Sequence, residues 1–272
     1  MTAPRVALLD GDVIAHRAAA YWAGNADWAF GYKRVVSPED AAAEAVRIAT
    51  DWRDRAGCEQ AIVCLSPRDR ITFRHHLVGD YKAGRPGHER PDLLRAAVDA
   101  LEAGYDCQRI PLLEADDIMG ILGSSQTERG LASVVVTIDK DLRGVPCMLL
   151  NPDKDAPPER ITEAQADRFW MMQTLTGDPV DGYKGCPKIG PVKAERILNA
   201  ALFEDAPPEN LLLWAGVLDT YAAAGLSFAD ALLQARLARI LRRDDYDAEH
   251  DAIWLWHPQR WERFSLEREV AG

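Results

Sequence analysis

The strongest constraint on this chain is an alternation of short apolar runs with helical patterns over its first 160 residues. Leu131–Asp139, "LASVVVTID", is the most strand-like run, and Arg5–Asp10, Ala61–Leu65, "CQRI" and "CMLLN" read as further strands. Between them lie helical stretches. One has Ser37 as N-cap, Pro38 at the first helical position and Gly57 at its stop. Another begins near Pro91, and a third carries Glu114, Asp116 and Asp117 in its first turn. Strands alternating with helices predict an α/β fold with a central, mostly parallel sheet flanked by helices. From about Ile161 the strand signals stop. Residues 161–272 read as a mainly helical region, after a linker at Pro152–Arg160. The expected organisation is therefore an α/β core over 1–160, with an exposed Gly- and Pro-punctuated segment near 70–92, followed by a helical region over 161–272.

In such sheets functional groups gather at the carboxyl ends of the strands. Asp10 and Asp139 both close predicted strands. Four carboxylate clusters stand in the chain: Asp10 and Asp12 in "LLDGD", Glu114, Asp116 and Asp117 in "LLEADD", Asp139 and Asp141 in "TIDKD", and Asp178 and Asp181 in "GDPVDG". Each has an ordinary alternative. Asp12 could cap a helix, the acids of 114–117 suit a helix N-terminus, and Asp178 and Asp181 suit turns. Brought together, so many carboxylates require cations, and oxygen-only ligation is what Mg²⁺ and Mn²⁺ prefer. Two such ions are a device for in-line phosphodiester hydrolysis.

Composition narrows the class. The chain has 272 residues, 47% apolar and 28% charged, enough for a substantial core. No run is long enough to span a bilayer, and the N-terminus leads straight into a strand, so no membrane partner is expected and a cytoplasmic protein is. Five cysteines without C-x-x-C spacing speak against a disulfide framework or a zinc site. The net charge of -11 is unlike a plain nucleic-acid binder, but distribution matters more than the total. Between Arg70 and Arg95 six basic side chains face three acidic ones, and between Gly182 and Arg196 four face one. A charge run is commonly a solvated face. Against that, Tyr81 and Phe73 interleave the first run and could stack on a base. In the second, Gly185 and Gly190 would let backbone N–H groups approach a phosphate, with Lys184, Lys188 and Lys193 around them. Lys82 could neutralise a phosphate during hydrolysis.

These residues carry a resemblance. "EADD", "TIDKDL" and "GDPVDGYKGCPKIGPVKA" resemble the motifs of the 5′-nuclease (flap endonuclease-like) superfamily, and "FRHHLVGDYKAGR" is similar to its F-R…Y-K-x-x-R motif. "LEADDIMGIL", "GDPVDGYKG" and the late "ARLARILRRDDYD…IWLWHP" are most similar to the exonucleases of podovirus-type bacteriophages. The resemblance spans roughly Val6 to Pro258. It implies an arch or gateway near 70–92 and a helix–three-turn–helix module at about 174–200. It further implies a metal cluster of Asp10, Glu114, Asp116, Asp117, Asp139, Asp141, Asp178 and Asp181, with Lys82 and Arg85 on the scissile phosphate and Arg74 nearby. One position departs from the family. Ser66 stands where an acid is expected after the second strand, with Asp69 three residues on as its substitute or as a surface residue.

The expected function is a Mg²⁺-dependent 5′→3′ exonuclease of duplex DNA bearing a 5′ end, with two or more ions and Mn²⁺ as a substitute. RNA in RNA–DNA hybrids is a further expected substrate, and phage DNA replication, recombination or host DNA degradation the setting, in the host bacterial cytoplasm. A structure-specific flap endonuclease or an RNase H-like primer remover is the close alternative. A haloacid-dehalogenase-type phosphatase with Asp10 as nucleophile is a remote one, as is a non-catalytic DNA-binding module built on the same glycine loop.

Overall fold

The computed structural model describes residues 5–24, 26–27, 32–33, 37–84, 91–129, 133–201 and 209–259. The first strand, β1 (Val6–Asp10), runs without a loop into α1 (Gly11–Gly24). Glycine at position 11 permits this. A Cβ there would stand 2.6 Å from Val63 Cγ1 and 2.7 Å from the Cys64 carbonyl oxygen. A two-residue antiparallel pair follows, β2 (Ala26–Asp27) with β3 (Tyr32–Lys33). Helix α2 (Pro38–Arg55) starts as predicted, with Ser37 accepting from the Asp40 N–H and Asp40 accepting in return from the Ser37 N–H. Then come β4 (Gln60–Cys64), α3 (Phe73–Leu77), α4 (Pro91–Gly104), β5 (Asp106–Gln108), α5 (Ala115–Arg129), β6 (Ser133–Val136), a 3₁₀ turn at Lys140–Gly144, β7 (Met148–Leu150) and β8 (Glu159–Arg160).

The six-stranded sheet has the order β5-β4-β1-β6-β7-β8. All its neighbours pair in parallel except β7 with β8. The chain builds β4 and β5 to one side of β1 and β6 and β7 to the other. This places a topological switch point between β1 and β6, the position where open α/β sheets bind ligands. The fold class is the expected one. The stretch read as a linker, Pro152–Arg160, instead ends in the edge strand β8, and its Pro152 carbonyl accepts from Arg55. A strand of two residues leaves no periodicity to read.

The chain divides into two compact units. The first comprises Met1–Thr72, Pro86–Leu142 and Cys147–Arg160. Its core packs Ala7, Leu9, Val63, Leu65, Val134 and Val136 of the sheet region against Ile14, Ala45, Trp52 and Leu101 of the helices. The second comprises Phe73–Arg85, Arg143–Pro146 and Ile161–Gly272. It holds α6 (Glu163–Thr176), α7 (Pro191–Ala200), α8 (Glu209–Ala223), α9 (Phe228–Ala238), a 3₁₀ turn at Arg243–Asp245 and the antiparallel pair β9 (Tyr246–Asp247) with β10 (Ala252–Ile253). Trp170, Trp214, Trp256 and Tyr221 fill its core. Trp256 packs edge-on against Trp170 and Trp214, whereas Trp254 is exposed. Helix α9 stops at Ala238. Arg239 is extended there, and its buried guanidinium pairs with Asp245 at 2.8 Å. All five cysteines are free.

Candidate active site

Within the first unit, Asp10 ends β1 and caps the next helix. Its Oδ1 accepts from the Val13 N–H at 3.0 Å and its Oδ2 from the Thr137 hydroxyl at 2.7 Å. Thr137 follows β6 directly and accepts in turn from the Asp139 N–H at 3.0 Å, and Asp139 accepts from the Asp141 N–H at 2.8 Å. A chain of hydrogen bonds thus crosses the switch point, from the end of β1 to the turn bearing both acids of "DKD". Burial pushes the Asp10 carboxyl up to about 7, aided by the negative charges of Asp12 and Asp139 and opposed by the bonds from Val13 and Thr137. Neutral Cys64 reports the same crowding. Its thiol is pushed well up by burial first, then by Asp10, Cys107, Asp116 and Asp12. Four carboxylates from β1, α1, α5 and the turn after β6 therefore act on one region at the carboxyl end of the sheet.

Helix α5 brings its acids there by an unusual start. The Ala115 N–H donates to the Ser66 hydroxyl at 3.0 Å, so a residue just past β4 caps the helix. Asp117 is fully buried and its Oδ2 accepts from the Glu114 N–H at 3.1 Å. Expected among the ligands, Asp117 is turned onto its own helix start, because the first N–H groups of a buried helix need acceptors. The Ser66 N–H donates to Asp12 at 3.3 Å, and the Ser66 carbonyl accepts from Arg109. Asp69, three residues on, is exposed and accepts from the Ile71 N–H at 3.0 Å, as a surface turn residue does.

Within the second unit, the 177–190 loop joins α6 to α7. Gly177 and Gly185 have positive φ and their backbones touch, since a Cβ on Gly177 would lie 2.5 Å from the Gly185 nitrogen. Asp178 accepts from the Val180 N–H at 2.8 Å and from the Asp181 N–H at 3.3 Å. Asp181 meets the Tyr81 hydroxyl at 3.3 Å and Lys82 Nζ at 3.6 Å. Lys82 itself is held in the left-handed region, φ 57°, with its N–H on the Asp181 carbonyl at 3.2 Å. Lys184, Lys188 and Lys193 are exposed, and Gly190 opens α7 as its N-cap.

Three readings are corrected here. Tyr81 is buried, with Arg74 and Lys82 near its ring and His75 edge-on at 5.4 Å, so it is not presented for stacking on a base. Arg74 is buried and donates to the Leu237 carbonyl at 3.0 Å and the Arg239 carbonyl at 2.6 Å, so it braces the fold rather than facing a phosphate. The Gly185 N–H is taken by Gln234 at 2.8 Å, so this glycine serves the close approach to Gly177. Arg85 lies outside the described residues. Thr137 escaped the sequence reading because a threonine after a β-branched run reads as strand, and Ser66 stood there only as a departure from the family's acid, without its role at the start of α5.

Among the described residues, no group of three or more His, Cys, Asp or Glu side chains is arranged to hold a metal ion. The donor set nevertheless fits a hard divalent cation. The donors that crowd the switch point are carboxylates, and their mutual repulsion, felt at Asp10, is what a cation would relieve.

The comparisons accord with this geometry. Residues 5–152 match the family model described as the 5′-3′ exonuclease, N-terminal resolvase-like domain. The exodeoxyribonuclease of Enterobacteria phage T3 is 29% identical over 227 residues, covering 73% of this chain and 74% of its own. The exonuclease of Escherichia phage T7 is 29% identical over 223 residues, with the same coverage. In fold, the chain is similar to the D15 flap endonuclease of bacteriophage T5, solved as a D155K pseudo-enzyme-product complex with DNA and metal ions. The TM-score is 0.53 at 15% identity, covering 86% of this chain and 99% of that one. With more than half its length inside the family model, the chain belongs to the 5′-3′ exonuclease family.

Proposed function

We propose that this 5′-3′ exonuclease hydrolyses duplex DNA from its 5′ ends, with Mg²⁺ as the natural ion and Mn²⁺ as a substitute. The observation that carries the reading is the hydrogen-bonded series Asp10–Thr137–Asp139–Asp141 at the switch point, with Asp12 and Asp116 acting on the same region. The ligands in this reading are Asp10, Glu114, Asp116, Asp139 and Asp141, joined on the motif match by Asp178 and Asp181, while Asp117 holds the start of α5. Two divalent ions held by such carboxylates would activate the attacking water and offset charge on the phosphate and the leaving oxygen.

The side chains have separate tasks. Thr137 fixes the orientation of Asp10 and Asp139 by donating to one and accepting from the backbone of the other. Lys82, with Arg85 on the motif match, neutralises the scissile phosphate as charge builds on it. Water adds to the phosphorus as the P–O3′ bond breaks. The products are a 3′-hydroxyl on the leaving side and a 5′-phosphate on the remaining strand. The 177–190 loop with Lys184, Lys188, Lys193 and the open start of α7 at Gly190 acts as a helix–three-turn–helix module. It holds the backbone of the duplex without reading bases. That the T3 and T7 relatives are named exodeoxyribonuclease and exonuclease supports the end-wise reading over the flap one. RNA in RNA–DNA hybrids enters as a second substrate, and phage DNA metabolism in the host cytoplasm as the setting.

The test is a panel of 5′-labelled substrates with Mg²⁺: blunt duplex, 5′-flap duplex and RNA–DNA hybrid. Labelled mononucleotides released first from the blunt duplex are expected. Release of intact flaps with the blunt duplex spared would replace this reading with a flap endonuclease.

A further inference from the structure

The acid-bearing helix α5 is capped locally, by Asp117 on the Glu114 N–H, and also from outside the helix. An N-cap side chain normally accepts from N–H groups two or three residues on. Here the first helical N–H, that of Ala115, donates to Ser66, 49 residues earlier and just past β4. Ser66 is fixed at three points. Its hydroxyl accepts from Ala115, its N–H donates to Asp12, and its carbonyl accepts from Arg109. Arg109 is itself paired with Glu102 at 2.7 Å, and Glu102 also pairs with Arg68. One serine thus joins the first turn of α1, the end of β4 and the first turn of α5, all within the first unit. A neutral hydroxyl does this without adding charge beside Asp10, Asp12 and Asp116.

We infer that Ser66 is a positioning residue for metal binding. By its hydroxyl it sets the first turn of α5, and with it the placement of Asp116 and Glu114 relative to Asp12 and Asp10. The inference rests on the metal reading given under Proposed function.

The test is binding of Mn²⁺ to the full chain without DNA, read by the loss of the free-ion electron paramagnetic resonance signal, for the parent, Ser66→Ala and Ser66→Thr. Melting temperatures are measured in EDTA alongside. Ser66→Ala removes one hydrogen bond and leaves the backbone contact to Asp12. Its Mn²⁺ affinity is expected to fall about three- to tenfold, in line with the loss of one hydrogen bond. The threonine variant, which keeps the hydroxyl, recovers the parent affinity. In turnover with Mn²⁺ at a fixed sub-saturating concentration, kcat falls in Ser66→Ala while KM for DNA holds. Equal Mn²⁺ affinity in parent and Ser66→Ala overturns the inference, as does a lower melting temperature with affinity unchanged. A parent chain that binds no Mn²⁺ overturns the metal reading itself, which separates the two failures.

Discussion

At the scale of single residues, chemistry rests on how few side chains are free to move. Thr137 is 1% exposed and bridges Asp10 and the Asp139 N–H. Thr137→Val keeps the shape and leaves the buried Asp10 carboxyl and the half-buried Asp139 N–H without the hydroxyl. A stability loss of about 1–3 kcal/mol is expected in chemical denaturation, with kcat reduced. Asp141→Asn keeps the size of the side chain but removes one charge from the proposed ligand set. Cleavage should fall by more than about a hundredfold, beyond the usual effect of losing an outer partner of a metal site. DNA binding in a mobility-shift assay should be nearly unchanged, and retained turnover would take Asp141 out of the metal set. The acids were legible in the sequence because carboxylates at strand ends and helix starts advertise themselves. Thr137 was not, nor was the capping role of Ser66, since one hydroxyl has no signature until its partners, 127 and 49 residues away, are brought to it.

At the scale of elements, the loop between α6 and α7 depends on contact between backbones. A Cβ on Gly185 would meet the Gly177 nitrogen at 2.3 Å, in a residue whose φ is 63°. Gly185→Ala is therefore expected to cost about 2 kcal/mol or more, seen as a lower melting temperature, with weaker duplex binding as the loop deforms. Lys193 is the contrasting case. It is exposed, and its ammonium reaches the Lys188 carbonyl at 3.2 Å. Lys193→Ala should leave the melting temperature unchanged and reduce the slope of log affinity against log salt by about 1. An unchanged slope would remove that phosphate contact. The glycine spacing announced this loop, but the sequence misassigned Gly185, whose N–H goes to Gln234. It misassigned Tyr81 and Arg74 for the same reason. A run rich in basic and aromatic residues shows what is present and not which side chains turn inward. The carbonyls that receive Arg74 lie 163 and 165 residues away.

At the scale of the whole molecule, the fold was the most legible property. Alternating strands and helices can be joined in parallel in few ways, and buried runs such as "SVVV" leave little choice of partner. Strand β8 was missed because two residues carry no pattern. The net charge of -11 is also a whole-molecule property. It accords with the proposed acidic centre for cations, which in that proposal ties DNA cleavage to the divalent ion. The most direct test is a time course on a blunt duplex labelled at its 5′ end, with Mg²⁺ and with EDTA. Early release of labelled mononucleotides with Mg²⁺ and an intact label with EDTA are expected. Release that persists undiminished in EDTA, or an intact label with Mg²⁺ present, would contradict cation-dependent cleavage from the 5′ end.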